Sequence, residues 1–308
     1  MKTAVIGAGA MGSLFGGLLT ESGVAVWLLD IWEAHINTLN QSGLTIEREG
    51  ITRVVRPNAV TDPQSIGKVD LVIVFVKSTH TAAAARTAAG LVRPDGLVLT
   101  LQNGMGNADI LGQAVEPGKV LAGTTSHGAT MLGPGRVRHA GIGPTQIGLW
   151  AAGDPAPAQK VARILTDAGI ETEVTDDIRA LVWHKLFINV GINAITALTG
   201  ICNGQILDLA TTRDLSQKAV EEAMAVARAK GIKVEEDVVG HVFKIAEATA
   251  ANRSSMGQDV DNRRPTEINA INGAVVREAR QSGLATPVNE TLSALVQTLE
   301  FHFGKGGT

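Results

Sequence analysis

The first dozen residues restrict the fold more than any other stretch. Met1 to Gly12 reads MKTAVIGAGAMG, a short apolar run over Thr3 to Ile6 that stops at glycines, after which Ser13 to Thr20 has helical character. Strand, G-x-G-x-x-G and helix, in that order, is the opening of a dinucleotide-binding βαβ unit. Gly7 permits a tight turn, Gly9 lets the backbone approach a pyrophosphate, and Gly12 lets the helix pack close on the strand. Ala8, Ala10 and Met11 fill the positions between. The helix N-terminus presents N–H groups and a partial positive charge to phosphates. With 35 glycines among 308 residues, the motif alone is weak. A second strand, Val24 to Leu29, strengthens it by ending in Asp30, at the spacing where an acidic residue holds the adenosine ribose hydroxyls.

The length allows two domains and a large core. Hydrophobic residues at 44% and charged residues at 19% are ordinary for a globular chain. A formal net charge of −3 offers no basic excess for neutralising phosphates, so no nucleic-acid partner is expected. One cysteine, Cys202, excludes a disulfide framework, and seven scattered histidines give no metal spacing, so no metal is expected. No apolar run reaches the roughly 18 residues needed to span a bilayer, so no membrane partner is expected. The chain enters its first strand without a signal-peptide pattern, and a cytoplasmic enzyme is the expectation.

Beyond Asp30, residues 31–40 suit a helix, and 44–55 (LTIEREGITRVV) a hairpin turning at Glu49-Gly50. VDLVIVFV at 69–76 reads as a strand buried on both faces, ending at Lys77. A helix over 79–91 and a strand over 97–101 follow, the latter ending in Gln102-Asn103-Gly104-Met105-Gly106. Gly9, Asp30, Lys77 and Asn103 thus fall at strand C-termini, where a doubly wound sheet binds its ligand. Short β runs over 119–150 are expected to extend this sheet with antiparallel or mixed strands. A helix to about residue 168 and a strand over 171–174 complete an α/β domain, a Rossmann-type doubly wound sheet over 1–175. From 176 to 308 the chain reads as all-helical, with helices over 178–198, 212–230, 235–252, 266–282 and 288–302. The glycine-rich end, Gly304 to Thr308, is expected to fray.

The helix from Leu181 to Leu198 is largely apolar except along one line, Lys185, Asn189 and Asn193, which recur every four residues on one face. A solvated stripe would account for that line. The apolar surroundings favour a buried lysine and amides that need partners, suited to protonating an alkoxide and holding polar groups. Further on, Ser254 and Ser255 read equally well as helix caps, and Glu267 as a first-turn carboxylate.

Taken together, GAGAMG, LQNGMG at 101–106, WHKLFINVGINAIT at 183–196, SSMGQDV at 254–260 and RPTEINAING at 264–273 closely resemble the ketopantoate reductases, or 2-dehydropantoate 2-reductases, over nearly the whole chain. The resemblance implies hydride transfer from NAD(P)H to the ketone of a branched 2-oxo acid, giving pantoate for pantothenate and coenzyme A synthesis. It implies Lys185 as general acid, with Glu267 orienting that lysine or the substrate. It also implies Asn103 bridging cofactor and substrate, Asn189, Asn193 and Ser255 holding hydroxyl and carboxylate, and Lys77 near the nicotinamide. A homodimer through the helical half is implied as well. Many members use NADPH and carry a basic residue where this chain has Asp30-Ile31-Trp32, so NADH is expected to be preferred. Two alternatives stay open: a reductase of another 2-oxo acid, and a dinucleotide sensor without chemistry, which would have no use for a proton donor.

Overall fold

A computed structural model of the chain describes residues 1–303; the glycine-rich end, 304–308, lies outside the described residues. The chain runs β1 (Lys2–Ile6), α1 (Ala10–Glu21), β2 (Ala25–Leu29), α2 (Glu33–Ser42), β3 (Leu44–Arg48), β4 (Ile51–Val55), β5 (Asn58–Val60), β6 (Val69–Val74), α3 (Thr81–Leu91), β7 (Val92–Thr100) and α4 (Asn107–Ala114). It continues through β8 (Val120–Thr125), β9 (Gly128–Gly133), β10 (Arg136–Gly141), β11 (Thr145–Leu149), α5 (Ala156–Asp167) and β12 (Thr172–Val174). The helices α6 (Ile178–Thr199), α7 (Ala210–Ala229), α8 (Val238–Ala248), α9 (Ser255–Asp261), α10 (Asn272–Gln281) and α11 (Pro287–Phe301) follow. Two compact units result: Met1–Gln102 with Asn107–Ile178, and Asn103–Gly106 with the chain from Arg179 onward.

The first unit is built on an eight-stranded sheet of order β12-β11-β8-β7-β6-β1-β2-β5. From β8 to β5 neighbouring strands are parallel, and β11 turns antiparallel to β8. The apolar runs of β1 and β6 lie at its centre because both faces are covered; Val5 and Ile73 have no exposed surface. β1 pairs on one side with β2 and on the other with β6, the point at which a doubly wound sheet reverses direction. This is the Rossmann-type sheet the sequence predicts.

One expectation for the stretch 119–150 does not hold. β8 and β11 extend the main sheet, whereas β9 and β10 leave it and join the hairpin β3–β4 in a second, four-stranded sheet of order β4-β3-β10-β9. Pairing of β10 with β3 is nonlocal, Val137 opposite Ile46, and both side chains are buried with the core that includes Phe15 of α1. Alternation alone does not tell a strand which sheet it joins. The hairpin turn itself falls where predicted, with Glu49 at φ 51° and Gly50 at φ 79°.

In the second unit, α6 is the core. It has the length and apolar composition of a membrane-crossing helix, yet 61% of that apolar stretch is buried inside the protein. Its side chains Trp183, Phe187, Val190 and Ile195 pack with residues of α7, α8, α10 and α11. The helix expected over 266–282 is broken. Ile271 has a non-helical backbone (φ −105°, ψ −98°), so α10 begins only at Asn272 and residues 268–270 form a 3₁₀ turn. Ahead of the break the chain is tied to α11, the Thr266 N–H donating to Glu300 Oε1 at 2.6 Å, and is turned locally by the Ile268 N–H donating to Thr266 Oγ1 at 3.1 Å.

Candidate active site

In the sheet unit, the glycine turn is shaped by close approaches. Gly7 has φ +94°, and a Cβ there would stand 2.7 Å from the Val76 nitrogen; one on Gly12 would stand 1.9 Å from the Gly7 oxygen. Neither position admits a side chain. Gly9 differs: it is exposed, it caps α1, and a Cβ there meets nothing within 4 Å. The first N–H groups of α1 lack intrahelical acceptors by helix geometry. Bare backbone, an open face and a helix N-terminus fit a diphosphate.

Around this turn, Ala8 is buried, and its N–H donates to Asp30 Oδ2 at 2.7 Å. The other carboxylate oxygen accepts the Trp32 N–H at 3.0 Å. Asp30 therefore faces the turn, with its negative charge fixed beside it. Ala10 and Met11 open α1 and are partly buried. Lys77, exposed, follows the end of β6 and begins a 3₁₀ turn over Ser78–His80.

In the helical unit, α6 carries Lys185, Asn189 and Asn193 as the spacing predicts. Lys185 is partly buried. Desolvation of its ammonium lowers its pKa and the charge of Glu267 raises it, with a balance at about 8. Glu267 is buried, at 7% exposure, just ahead of the 3₁₀ turn rather than in the first turn of a long helix. Asn193 is 5% exposed, and the Nδ2 atoms of both Asn189 and Asn193 are buried without a hydrogen-bond partner. A buried amide donor left unpaired costs about 1–3 kcal/mol, so two on one helix face next to a lysine fit acceptors brought by a ligand.

The serine pair divides its work. Ser254 is the N-cap of α9, its Oγ accepting the Gly257 N–H at 3.0 Å, and it shares a 2.6 Å hydrogen bond with Thr196 of α6. Ser255 is exposed at the first position of α9. Asn103 is partly buried and packs with the helical unit, where the neighbouring Met105 N–H donates to the Ala270 carbonyl at 2.8 Å. Sequence reasoning missed Arg253, whose Nη1 bonds the Ile201 carbonyl beyond the end of α6 at 2.9 Å. Its Nε and Nη2 grip Asp261 at 2.8 and 2.9 Å. This clasp joins the helix of Lys185 to the helix of Ser255. The only local signal was a cation two residues before Ser255.

Known proteins match this arrangement along its full length. The family described as "Ketopantoate reductase PanE/ApbA" matches residues 3–152, and its C-terminal counterpart matches residues 177–300. A 2-dehydropantoate 2-reductase of Halobacterium salinarum is 43% identical over 298 residues, covering 96% of this chain and 98% of its own. Among solved structures, a PanE/ApbA family ketopantoate reductase from Ralstonia eutropha superimposes with a TM-score of 0.91 at 35% identity, covering 99% of this chain and 100% of its own. A D-mandelate dehydrogenase solved with NADH and anilino(oxo)acetate superimposes with a TM-score of 0.93 at 30% identity, covering 99% of each chain. The chain belongs to the ketopantoate reductase family.

Proposed function

We propose that this protein is a 2-dehydropantoate 2-reductase, which reduces the ketone of ketopantoate to the hydroxyl of pantoate for pantothenate and coenzyme A synthesis. The carrying observation is Lys185, its pKa brought down to about 8 by burial with Glu267 acting on it, in line with the unpaired amides of Asn189 and Asn193.

A reduced nicotinamide dinucleotide, when bound, supplies the hydride. The carbonyl oxygen gains negative charge as the C–H bond forms, and the Lys185 ammonium transfers one proton to it, leaving a neutral amine and a C–OH group. The Glu267 carboxylate opposes the effect of desolvation and favours the charged ammonium. The Nδ2 groups of Asn189 and Asn193 and the Ser255 hydroxyl hold the substrate's carboxylate and hydroxyl, with Asn103 bridging to the cofactor. Gly7 to Gly12 would hold the diphosphate, and Lys77 would serve the nicotinamide end. Asp30 would accept ribose hydroxyls and repel a 2′-phosphate, favouring NADH over NADPH.

In this reading, residues 1–175 serve the coenzyme and 176–308 the substrate and pairing. The protein is cytoplasmic and a homodimer through its helical unit. Leu295 and Phe301 of α11, 50% and 65% exposed, are apolar side chains such pairing would cover.

A second reading, reduction of a different 2-oxo acid, is favoured by the likeness to a D-mandelate dehydrogenase. The same lysine, amides and carboxylate serve any such ketone, and pocket shape discriminates by about 1–3 kcal/mol per group. Steady-state turnover of ketopantoate, pyruvate and benzoylformate by the purified protein separates them. The proposal expects ketopantoate to have the highest kcat/KM; a higher value for benzoylformate gives the second reading. NADH binding without oxidation by any of the three would leave a sensor.

A further inference from the structure

Behind the glycine turn lies a chain of three hydrogen bonds that none of the proposed catalytic groups uses. The Gly135 N–H, in the turn between β9 and β10, donates to His35 Nδ1 at 2.9 Å. His35 Nε2 lies 3.1 Å from Ser13 Oγ, and Ser13 Oγ donates to the Ala8 carbonyl at 2.8 Å. His35 and Ser13 have no exposed surface.

The donors can be assigned. A backbone N–H only donates, so Nδ1 is an unprotonated acceptor and the neutral ring carries its proton on Nε2. Burial lowers the His35 pKa, with the Asp30 charge opposing, in keeping with a neutral ring. Nε2–H then donates to Ser13 Oγ, and the serine's single proton is committed to the Ala8 carbonyl. The peptide joining Ala8 to Gly9 is trans, so its C=O and the Gly9 N–H point in opposite directions within one plane. Fixing the carbonyl inward fixes the Gly9 N–H outward. The preceding peptide is held as well, through the Ala8 N–H on Asp30.

We infer that His35 is a positioning residue for the coenzyme diphosphate: through Ser13 it locks the Ala8–Gly9 peptide with the Gly9 N–H presented to the ligand. This rests on the reading that the glycine turn holds a dinucleotide. The Gly135 N–H, by donating to Nδ1, sets which ring nitrogen carries the proton toward Ser13.

The two ring nitrogens can be tested separately, because a glutamine amide reaches the place of Nε2 and an asparagine amide that of Nδ1. NADH affinity is measured by fluorescence titration of the full-length protein, alongside Tm, kcat and the KM for ketopantoate. His35→Gln, which keeps the donor to Ser13, is expected to bind NADH within about twofold of wild type. His35→Asn, which keeps only the Gly135 contact, and Ser13→Ala should each weaken NADH by about fivefold, the scale of one hydrogen bond. The double variant carrying Ser13→Ala and His35→Asn should be no weaker than Ser13→Ala, with kcat at saturating NADH and the KM for ketopantoate unchanged. Equal affinity of His35→Asn and wild type, or equal losses in His35→Gln and His35→Asn that follow Tm, would overturn the inference. Should His35→Asn not fold, Ser13→Ala decides, and unchanged affinity there overturns it. Failure of the wild type to bind NADH would instead remove the coenzyme reading on which the inference stands.

Discussion

Glu267 opposes burial at Lys185: desolvation lowers the lysine's pKa, the carboxylate's charge raises it, and the balance lies at about 8. An ammonium so placed is a stronger acid than an exposed lysine and is still charged at neutral pH. That is the condition under which a general acid works best, with its pKa near the working pH.

Ketone reduction needs Lys185 protonated, so kcat/KM for ketopantoate should hold below neutrality and fall as pH rises through about 8. In Glu267→Gln the upward pull is gone, so this limb should move to lower pH. A pH–rate profile of both proteins checks it, and a limb that stays in place would detach Glu267 from the lysine.

Asn193 should be more valuable to activity than to stability. Its Nδ2 is buried with no partner in the free protein, so Asn193→Ala removes an unpaired donor from the folded state. Kinetics should show kcat/KM for ketopantoate lower by about tenfold or more, the scale of a hydrogen bond to a charged acceptor, with Tm within a few degrees of wild type. A large fall in Tm with intact kinetics would make the amide structural.

The glycines of the turn should separate into two kinds. Gly12→Ala places a Cβ 1.9 Å from the Gly7 oxygen, whereas at Gly9 a Cβ meets nothing within 4 Å. Thermal melts should therefore show Gly12→Ala strongly destabilised and Gly9→Ala near wild type. NADH titration of Gly9→Ala should show weakened binding, because the added methyl occupies the diphosphate's place.

Coenzyme preference should follow Asp30, whose carboxylate is fixed at the turn by the Ala8 and Trp32 N–H groups. Comparing kcat/KM with NADH and NADPH should favour NADH, and Asp30→Asn should narrow the gap by removing the charge. A wild-type preference for NADPH would detach this role from Asp30.

What the sequence made legible was local. The glycine turn, the hairpin at Glu49-Gly50 and the four-residue spacing of Lys185, Asn189 and Asn193 depend on backbone sterics and helical period, which a short stretch carries in itself. What it left hidden was nonlocal. β10 pairs with β3 about ninety residues away, as Val137 opposite Ile46 records. The segment ahead of the helix break at Ile271 is tied to Glu300 on another helix through the Thr266 N–H, and Asn103–Gly106 bonds the helical unit at Ala270. His35 passed as one scattered histidine because its partners, Ser13 and Gly135, lie 22 and 100 residues away.

The central claim is that the Lys185 ammonium is the proton source for ketone reduction. The most direct measurement is ketopantoate-dependent NADH oxidation by wild type and Lys185→Ala, with NADH binding followed in parallel. The account predicts turnover by wild type, a loss of about 10²-fold or more in kcat for the variant, and nearly unchanged NADH affinity. Equal turnover by the two proteins would contradict it.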